Sequence, residues 1–446
     1  MLKLNVKPAL LLLEDSKIAA VKGELKKCIK KFHGSPPGFV RILYDDRVVR
    51  EIEEYSEKLK KYENFVVVGI GGSALGNQAL QNALRPMDWN FLTSKDREGY
   101  CRVFVIDNVD PDLVRTTLKM VEPEKTMFNI ISKSGGTAEA LANYLIVRGI
   151  LEDAGLDPRD HLVFTTDPKK GFLRELASRE GIDAFEIPPD VGGRFSVLTS
   201  VGLLSAKAAG VDIRALLEGA RNMVDNSKLE EVNENLPALL ALVHYLHLEQ
   251  GRNIAVMMAY SNRLLTLVDW FRQLWAESLG KRKDGQCGVG QTPVKALGSV
   301  DQHSQLQLYN DGPDDKIITM LRIREFHDDV EIPLIHDDES VRYLGGKKLS
   351  GLLNTEFVGT ALSLVESNRP VVILDFEELD EEHVGQFFLL YEIATVFMGE
   401  LLGVNPFDQP GVERSKVITK ALMGMKGLEK EKAKILARLK ELEMEA

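Results

Sequence analysis

Eight short apolar runs, separated by stretches long enough for helices, constrain this chain more than any other feature. Phe65–Ile70, Arg102–Asp107, Phe128–Ile131, Leu162–Thr165 and Ala184–Ile187 form a first series. Asn253–Met258, Ile317–Ile323 and Pro370–Asp375 form a second. Continuous Val, Ile and Phe, without polar alternation, indicate strands covered on both faces. Helical connections between such strands make a mostly parallel sheet. The expected fold class is therefore α/β, with two helix-flanked sheets that read as a distant duplication. A helix-like stretch, Ser205–Leu248, separates the series, and 446 residues exceed a single typical core. The reading gives a helical accessory segment over 1–50, a first domain over 51–210, a second over 211–425 and a C-terminal helix over 426–446. In that last helix Ile435, Leu436, Leu439 and Leu442 fall at helical spacing.

The loop after the third run carries the most chemistry. Phe128-Asn129-Ile130-Ile131 stops at Ser132-Lys133-Ser134-Gly135-Gly136-Thr137, and a helix-like stretch from Ala138 follows. A strand feeding a helix through three hydroxyls and two glycines makes an anion site. The helix start offers N–H donors and a positive dipole end, while glycine lets backbone approach the ligand. The spacing is not that of a nucleoside-triphosphate loop, so a small phosphorylated ligand is expected.

Such a ligand must find a local basic pocket, because the chain carries 56 Lys and Arg against 67 Asp and Glu, a net charge of −11. That balance argues against broad binding to nucleic acid or a membrane surface. The cysteines Cys28, Cys101 and Cys287 are widely separated and suggest neither a disulfide framework nor a zinc site, which fits a reducing cytoplasm. The apolar run Ala9–Leu13 is too short for a signal segment, and no stretch is read as long enough to span a membrane.

Five further segments hold candidate chemistry. Gly69-Ile70-Gly71-Gly72-Ser73-Ala74-Leu75-Gly76 follows the first strand. It resembles a dinucleotide turn, but that fold needs an acidic residue about 20 positions on. The next strand ends only at Asp107, more than 30 residues past the glycines. The segment reads better as a second ligand loop, with Ser73 as donor and glycines such as Gly72 turning backbone N–H groups to the ligand. In Val191-Gly192-Gly193-Arg194-Phe195-Ser196 a double glycine presents a guanidinium, a rigid fork of donors for oxyanions. In Trp275-Ala276-Glu277-Ser278-Leu279-Gly280-Lys281 a carboxylate beside tryptophan suits a base working near neutrality. Thr292-Pro293-Val294-Lys295-Ala296-Leu297-Gly298-Ser299-Val300-Asp301-Gln302-His303-Ser304 reads as a glycine-rich loop whose polar residues orient His303 for acid–base work. Asn405-Pro406-Phe407-Asp408-Gln409-Pro410-Gly411-Val412-Glu413-Arg414-Ser415-Lys416 brings Gln409 and Lys416 to one mouth. His244 and His247 have metal-like spacing without a third ligand, and read as an ordinary helix surface.

Together these segments resemble the glucose-6-phosphate isomerase family, bacterial type, whose motifs occur here in order from residue 69 to 416. The resemblance implies two sugar isomerase (SIS) domains and a homodimer acting in glycolysis and gluconeogenesis. It implies that Ser132, Lys133, Ser134 and Thr137 hold the substrate phosphate, with Gly72 and Ser73 nearby. Glu277 would move a proton between C1 and C2, and Arg194 would stabilise the enediolate. His303 would assist ring opening across the dimer interface, Lys416 from the other side, and Gln409 would line the pocket. No metal and no cofactor is expected. An isomerase that also accepts mannose 6-phosphate fits the same residues. A non-catalytic sugar-phosphate sensor of the SIS type would keep the phosphate loops, but has no reason to hold Glu277, Arg194 and His303 together.

Overall fold

The computed structural model describes residues 1–283 and 288–445, so Cys287 lies outside the described residues. Its strands are β1 (Lys3–Asn5), β2 (Asn64–Val68), β3 (Arg102–Ile106), β4 (Thr126–Ser132), β5 (Leu162–Thr166), β6 (Asp183–Glu186), β7 (Ile254–Tyr260), β8 (Lys281–Arg282), β9 (Gly288–Val289), β10 (Thr292–Leu297), β11 (Lys316–Ile323) and β12 (Val371–Phe376). The helices that position the site or build the core are α1 (Asp15–Gly34), α2 (Leu75–Leu84), α3 (Ala138–Asp153), α4 (Ile213–Asn226), α5 (Leu236–Glu249), α6 (Leu265–Leu279), α7 (Leu349–Glu366), α8 (Glu381–Leu402), α9 (Glu413–Leu422) and α10 (Glu429–Glu441).

The expected α/β architecture is the observed one. One sheet has the order β3-β2-β4-β5-β6, with every pairing parallel. The other has the order β10-β7-β11-β12-β1, parallel except for β1, which runs antiparallel to β12. In both, the first strand of the half lies inside the second, and the third and fourth follow on its other side. The second sheet's outer place is taken by β1 from the far N-terminus. The opening segment, expected to be helical, therefore also adds a strand to the distant sheet.

The strand residues explain why no polar alternation was visible. Phe65, Val67, Met127, Ile131 and Val163 point into the large core that the first sheet shares with the second. Their neighbours Val66, Val68, Phe128, Ile130 and Phe164 point into a separate core on the outer face. Alternate residues thus enter two dry layers, and both must be apolar.

Through the shared core, packed among α1, α2, α4, α5 and α6, runs α8, buried without interruption from His383 to Gly399. By length and composition it matches a membrane span, which corrects the reading that no stretch does, but here it is the central core helix. It approaches α4 at backbone distance. A Cβ on Gly385 would lie 2.0 Å from the Leu216 carbonyl oxygen, so only glycine fits.

Midway along α8, Glu392 is 1 % exposed and its Oε1 has no partner among the described residues. Desolvation holds its carboxyl neutral, with a pKa well above the usual value. The folded chain therefore keeps a proton that the unfolded chain releases near pH 4, and stability falls as pH rises above that value. We predict that Glu392→Gln removes this dependence. Its stability relative to wild type should climb by up to about 1.4 kcal/mol per pH unit between roughly pH 5 and 7. Urea unfolding across that range measures the slope, and a flat difference would mean that Glu392 is not buried neutral.

His244 and His247 on α5 are also buried, not on the helix surface as expected. His244 Nδ1 faces Gln291 Oε1 at 3.0 Å, and His247 Nε2 faces the Ala9 carbonyl at 3.1 Å. Burial pushes both imidazoles down to about 4, so both are neutral.

Candidate active site

β4 ends at Ser132 and α3 begins after Thr137, so the loop between them stands at the C-terminal edge of the first sheet. Three hydroxyls converge there. Ser132 Oγ lies 3.1 Å from Thr137 Oγ1, and Ser134 Oγ lies 3.5 Å from the same atom. Ser134 Oγ also accepts the Gly136 N–H at 3.2 Å. Thr137 stands at the N-cap of α3 but its side chain does not cap the helix. The first-turn N–H groups and their positive dipole end therefore face the cluster of hydroxyls. Lys133 goes elsewhere. Its ammonium donates to the carbonyls of Pro189 (2.7 Å) and Val191 (2.8 Å), away from the loop expected to hold it.

The turn after β2 packs onto the segment Gly192-Gly193-Arg194. A Cβ on Gly72 would lie 2.3 Å from the Gly193 carbonyl carbon and oxygen, and Ser73 is half-buried at the end of the same turn. The glycine reads as close packing, which seats one loop on the other.

Arg194 is the centre of the arrangement and is 3 % exposed. Nε donates to Ser278 Oγ at 2.7 Å. Nη1 donates to Glu277 Oε2 at 3.3 Å and to Gln409 Oε1 at 2.9 Å. Nη2 donates to the carbonyls of Pro406 (2.5 Å) and Asp408 (2.9 Å). All five N–H groups of the fork are engaged. Burial lowers the guanidinium pKa, opposed by Glu277 and Asp408, and the group stays charged at any working pH.

Glu277 lies near the end of α6, half-buried, with both oxygens held. Gln273 Nε2 donates to Oε1 at 3.1 Å, opposite the Arg194 contact. The surface expected beside Glu277 was the indole of Trp275. Residues two apart on a helix point about 200° from each other, and Trp275 is fully buried on the other face, against His244 and Phe271. The carboxylate is framed by polar donors instead.

The 405–410 loop is tied by two cations, Arg194 and Lys281, whose Nζ lies 2.9 Å from Asp408 Oδ1. A cleft of about 930 Å³ opens beside it, lined by Glu277, Gln409 and Asn405 with the cations Lys281, Arg282 and Lys283. It supplies the local basic surface that the acidic composition requires, although no phosphate-loop residue lines it.

Two expected residues are not brought in. His303 is exposed, just after the turn that follows β10. The groups expected to orient its ring are engaged elsewhere. Asp301 accepts from the Leu297 N–H at 2.7 Å and from Ser304, and Gln302 accepts from Tyr260. Lys416, on α9, is exposed and paired with Glu413 at 2.7 Å. The segment expected as a loop before His303 is in fact strand β10, parallel to β7. Sequence reading missed Gln273, Ser278 and Lys281. Gln273 was detectable, because it precedes Glu277 by four residues and so shares its helix face. Among the described residues no group of three or more His, Cys, Asp or Glu is placed to hold a metal ion.

The arrangement offers a cradle for an anionic group, a carboxylate with both oxygens positioned, and a fixed positive charge against that carboxylate. Known proteins resemble this chain over most of its length. Residues 48–337 and 353–434 match the family described as phosphoglucose isomerase. The glucose-6-phosphate isomerase of Carboxydothermus hydrogenoformans is 44 % identical over 411 residues, covering 91 % of this chain and 88 % of that protein. A glucose-6-phosphate isomerase of Thermus thermophilus is 43 % identical over 389 residues, covering 87 % and 90 %. Among solved structures, a hypothetical protein from Thermus thermophilus superposes with a TM-score of 0.85 at 39 % identity, over 95 % of this chain and all of that one. A glucose-6-phosphate isomerase from Chlamydia trachomatis shares the fold, with a TM-score of 0.79 at 22 % identity over 96 % and 90 % of the two chains.

Proposed function

The chain belongs to the phosphoglucose isomerase family, and on that premise we propose how its residues divide the work of the reaction. It catalyses the reversible isomerisation of D-glucose 6-phosphate and D-fructose 6-phosphate, by ring opening and proton transfer through a cis-enediolate. The observation that carries the division of labour is the single Arg194 nitrogen, Nη1, that faces both Glu277 and Gln409.

The phosphate rests on the hydroxyls of Ser132, Ser134 and Thr137 and on the first N–H groups of α3, with Gly72 and Ser73 at its rim. Anchored there, the open-chain sugar lays C1 and C2 against Glu277. The carboxylate removes the proton from one carbon and returns it to the other. Negative charge grows on the substrate oxygens as the proton leaves, and Arg194 is the fixed cation that meets it. Gln409, already on Arg194, lines the pocket. Lys416 assists ring opening from α9, and its exposed pair with Glu413 is one that parts readily.

His303 assists ring opening from a partner subunit. Its exposure supports this, and so does the apolar surface around it. Val300, Leu308, Val358 and Leu362 are each more than half exposed, on adjoining elements that Asn310 and Ser363 tie together. Such a face suits a second copy of the chain. Placement in the cytoplasm fits the free thiols of Cys28 and Cys101, pushed up by burial to about 11 and about 12. The division near residue 210 stands as our domain boundary.

The test mixes two variants. Wild type converts fructose 6-phosphate to glucose 6-phosphate, and homodimers of Glu277→Gln or His303→Ala lose most of that activity. Co-expressed, they form hybrids in which one of the two sites has both an intact Glu277 and an intact His303. Activity returning toward about a quarter of wild type is expected for random two-fold pairing. No recovery would mean that His303 acts within its own chain, and an inactive wild type would overturn the functional reading.

A further inference from the structure

We propose that Lys133 is a positioning residue for Arg194. It links the phosphate loop to the cation at the reacting carbons, and its ammonium takes no part in holding the sugar phosphate. The inference rests on the reading of residues 132–137 as the phosphate loop.

Lys133 leaves that loop sideways. Its two hydrogen bonds end on the carbonyls of Pro189 and Val191, which run straight into Gly192-Gly193-Arg194. The hydroxyls of Ser132, Ser134 and Thr137 meanwhile engage one another. The segment that Lys133 grips has little regular structure of its own. β6 ends at Glu186, and the next regular turn begins only at Gly193. It is clamped from outside instead. The Arg41 guanidinium pairs with the Asp190 carboxylate, and Gly38 lies so close beneath Asp190 that a Cβ would be 2.6 Å from its Oδ2. Gly72 presses on Gly193 from the neighbouring turn. Ile187 and Val191 also bury their side chains in the core, and the Ile187 N–H donates to the Thr166 carbonyl at 2.8 Å. Among the side-chain hydrogen bonds that reach the segment before Arg194, Lys133 supplies those that come from the phosphate loop. Phosphate settling on that loop stiffens it, and the two carbonyl bonds carry the constraint to Arg194. Binding energy from the non-reacting end of the substrate thus orients the reacting end.

Lys133→Met keeps the length of the side chain and removes its donors. The expected result is a kcat lower by about 10–100-fold, the scale of a small misplacement of a catalytic group. KM, and the inhibition constant of inorganic phosphate as competitor, should stay within about threefold of wild type. Arg41→Met cuts the opposite hold on the same segment and lies outside the phosphate loop. It should lower kcat in the same direction with phosphate inhibition unchanged, and it decides the matter if Lys133→Met does not fold. A tenfold weaker phosphate inhibition in Lys133→Met with kcat preserved would make Lys133 a phosphate ligand and overturn the proposal. An Arg41→Met enzyme with unchanged kcat would overturn it too, because the segment would then not govern Arg194. Failure of inorganic phosphate to compete with substrate in wild type is a separate result, and would strike the phosphate-loop reading alone.

Discussion

Glu277→Gln lowers kcat by about 10²–10⁴-fold, the usual share of a placed general base, which is about 3–5 kcal/mol of barrier. The amide has the shape of the carboxylate but cannot take a proton from carbon. The fold should survive the change. α6 is anchored by Leu267, Trp270, Phe271, Leu274 and Trp275, all buried, while Glu277 stands half-exposed at the far end. KM should move little, because the phosphate anchor is a different loop. Reaction in deuterated water gives a second reading. Glucose 6-phosphate formed by wild type acquires solvent deuterium at C2 whenever the carboxyl proton exchanges before its return. Incorporation by the variant should fall in step with turnover. A variant that turns over within tenfold of wild type would remove Glu277 from the role of base.

Arg194→Met is expected to reduce kcat by about 10²–10³-fold, the scale of loss when preorganised electrostatic stabilisation of a developing oxyanion is removed. It also leaves acceptors without donors. Ser278 Oγ and the Pro406 carbonyl belong to buried residues, and each unmade buried bond costs about 1–3 kcal/mol. A stability loss of about 2–4 kcal/mol is therefore expected, readable by urea unfolding. The Glu277 and Gln409 contacts are partly wet and add less. Arg194→Lys separates the two roles, because it keeps the charge with three donors in place of a planar fork of five. It should recover part of kcat and little of the stability. If Arg194→Met weakens the fold but leaves kcat intact, Arg194 is only a tie for the 405–410 loop.

The two sheets and the anion loop were legible from residues that lie next to one another. β4 could be read because Phe128, Ile130 and Ile131 need dry surroundings on both faces, and the turn after it because its hydroxyls and glycines occupy six consecutive positions. β10 was not legible. Pro293 and Lys295 interrupt its apolar pattern, and the strand is held at the sheet edge by β7 rather than by its own propensity. β1 escaped for a related reason. Three residues carry no periodicity, and they become a strand only because β12 offers a free edge some 370 positions later, where Lys3 pairs with Asp375. Trp275 and Glu277 misled because adjacency in sequence is not adjacency on a helix, and the fully buried His244 and His247 misled because a polar helix position need not face water.

The presence of eight buried strands, the anion-binding chemistry of one turn and the need for a local cation in an acidic chain follow from the sequence alone, because each depends on contacts within a few residues or on composition. Which groups meet was decided by tertiary structure. Arg194 finds Glu277 and Gln409 at separations of 83 and 215 positions, and no local pattern encodes that meeting. The same packing turned Lys133 away from the hydroxyls beside it and left His303 and Lys416 outside. The direction of a long side chain is set by whichever acceptors the rest of the fold brings within its reach.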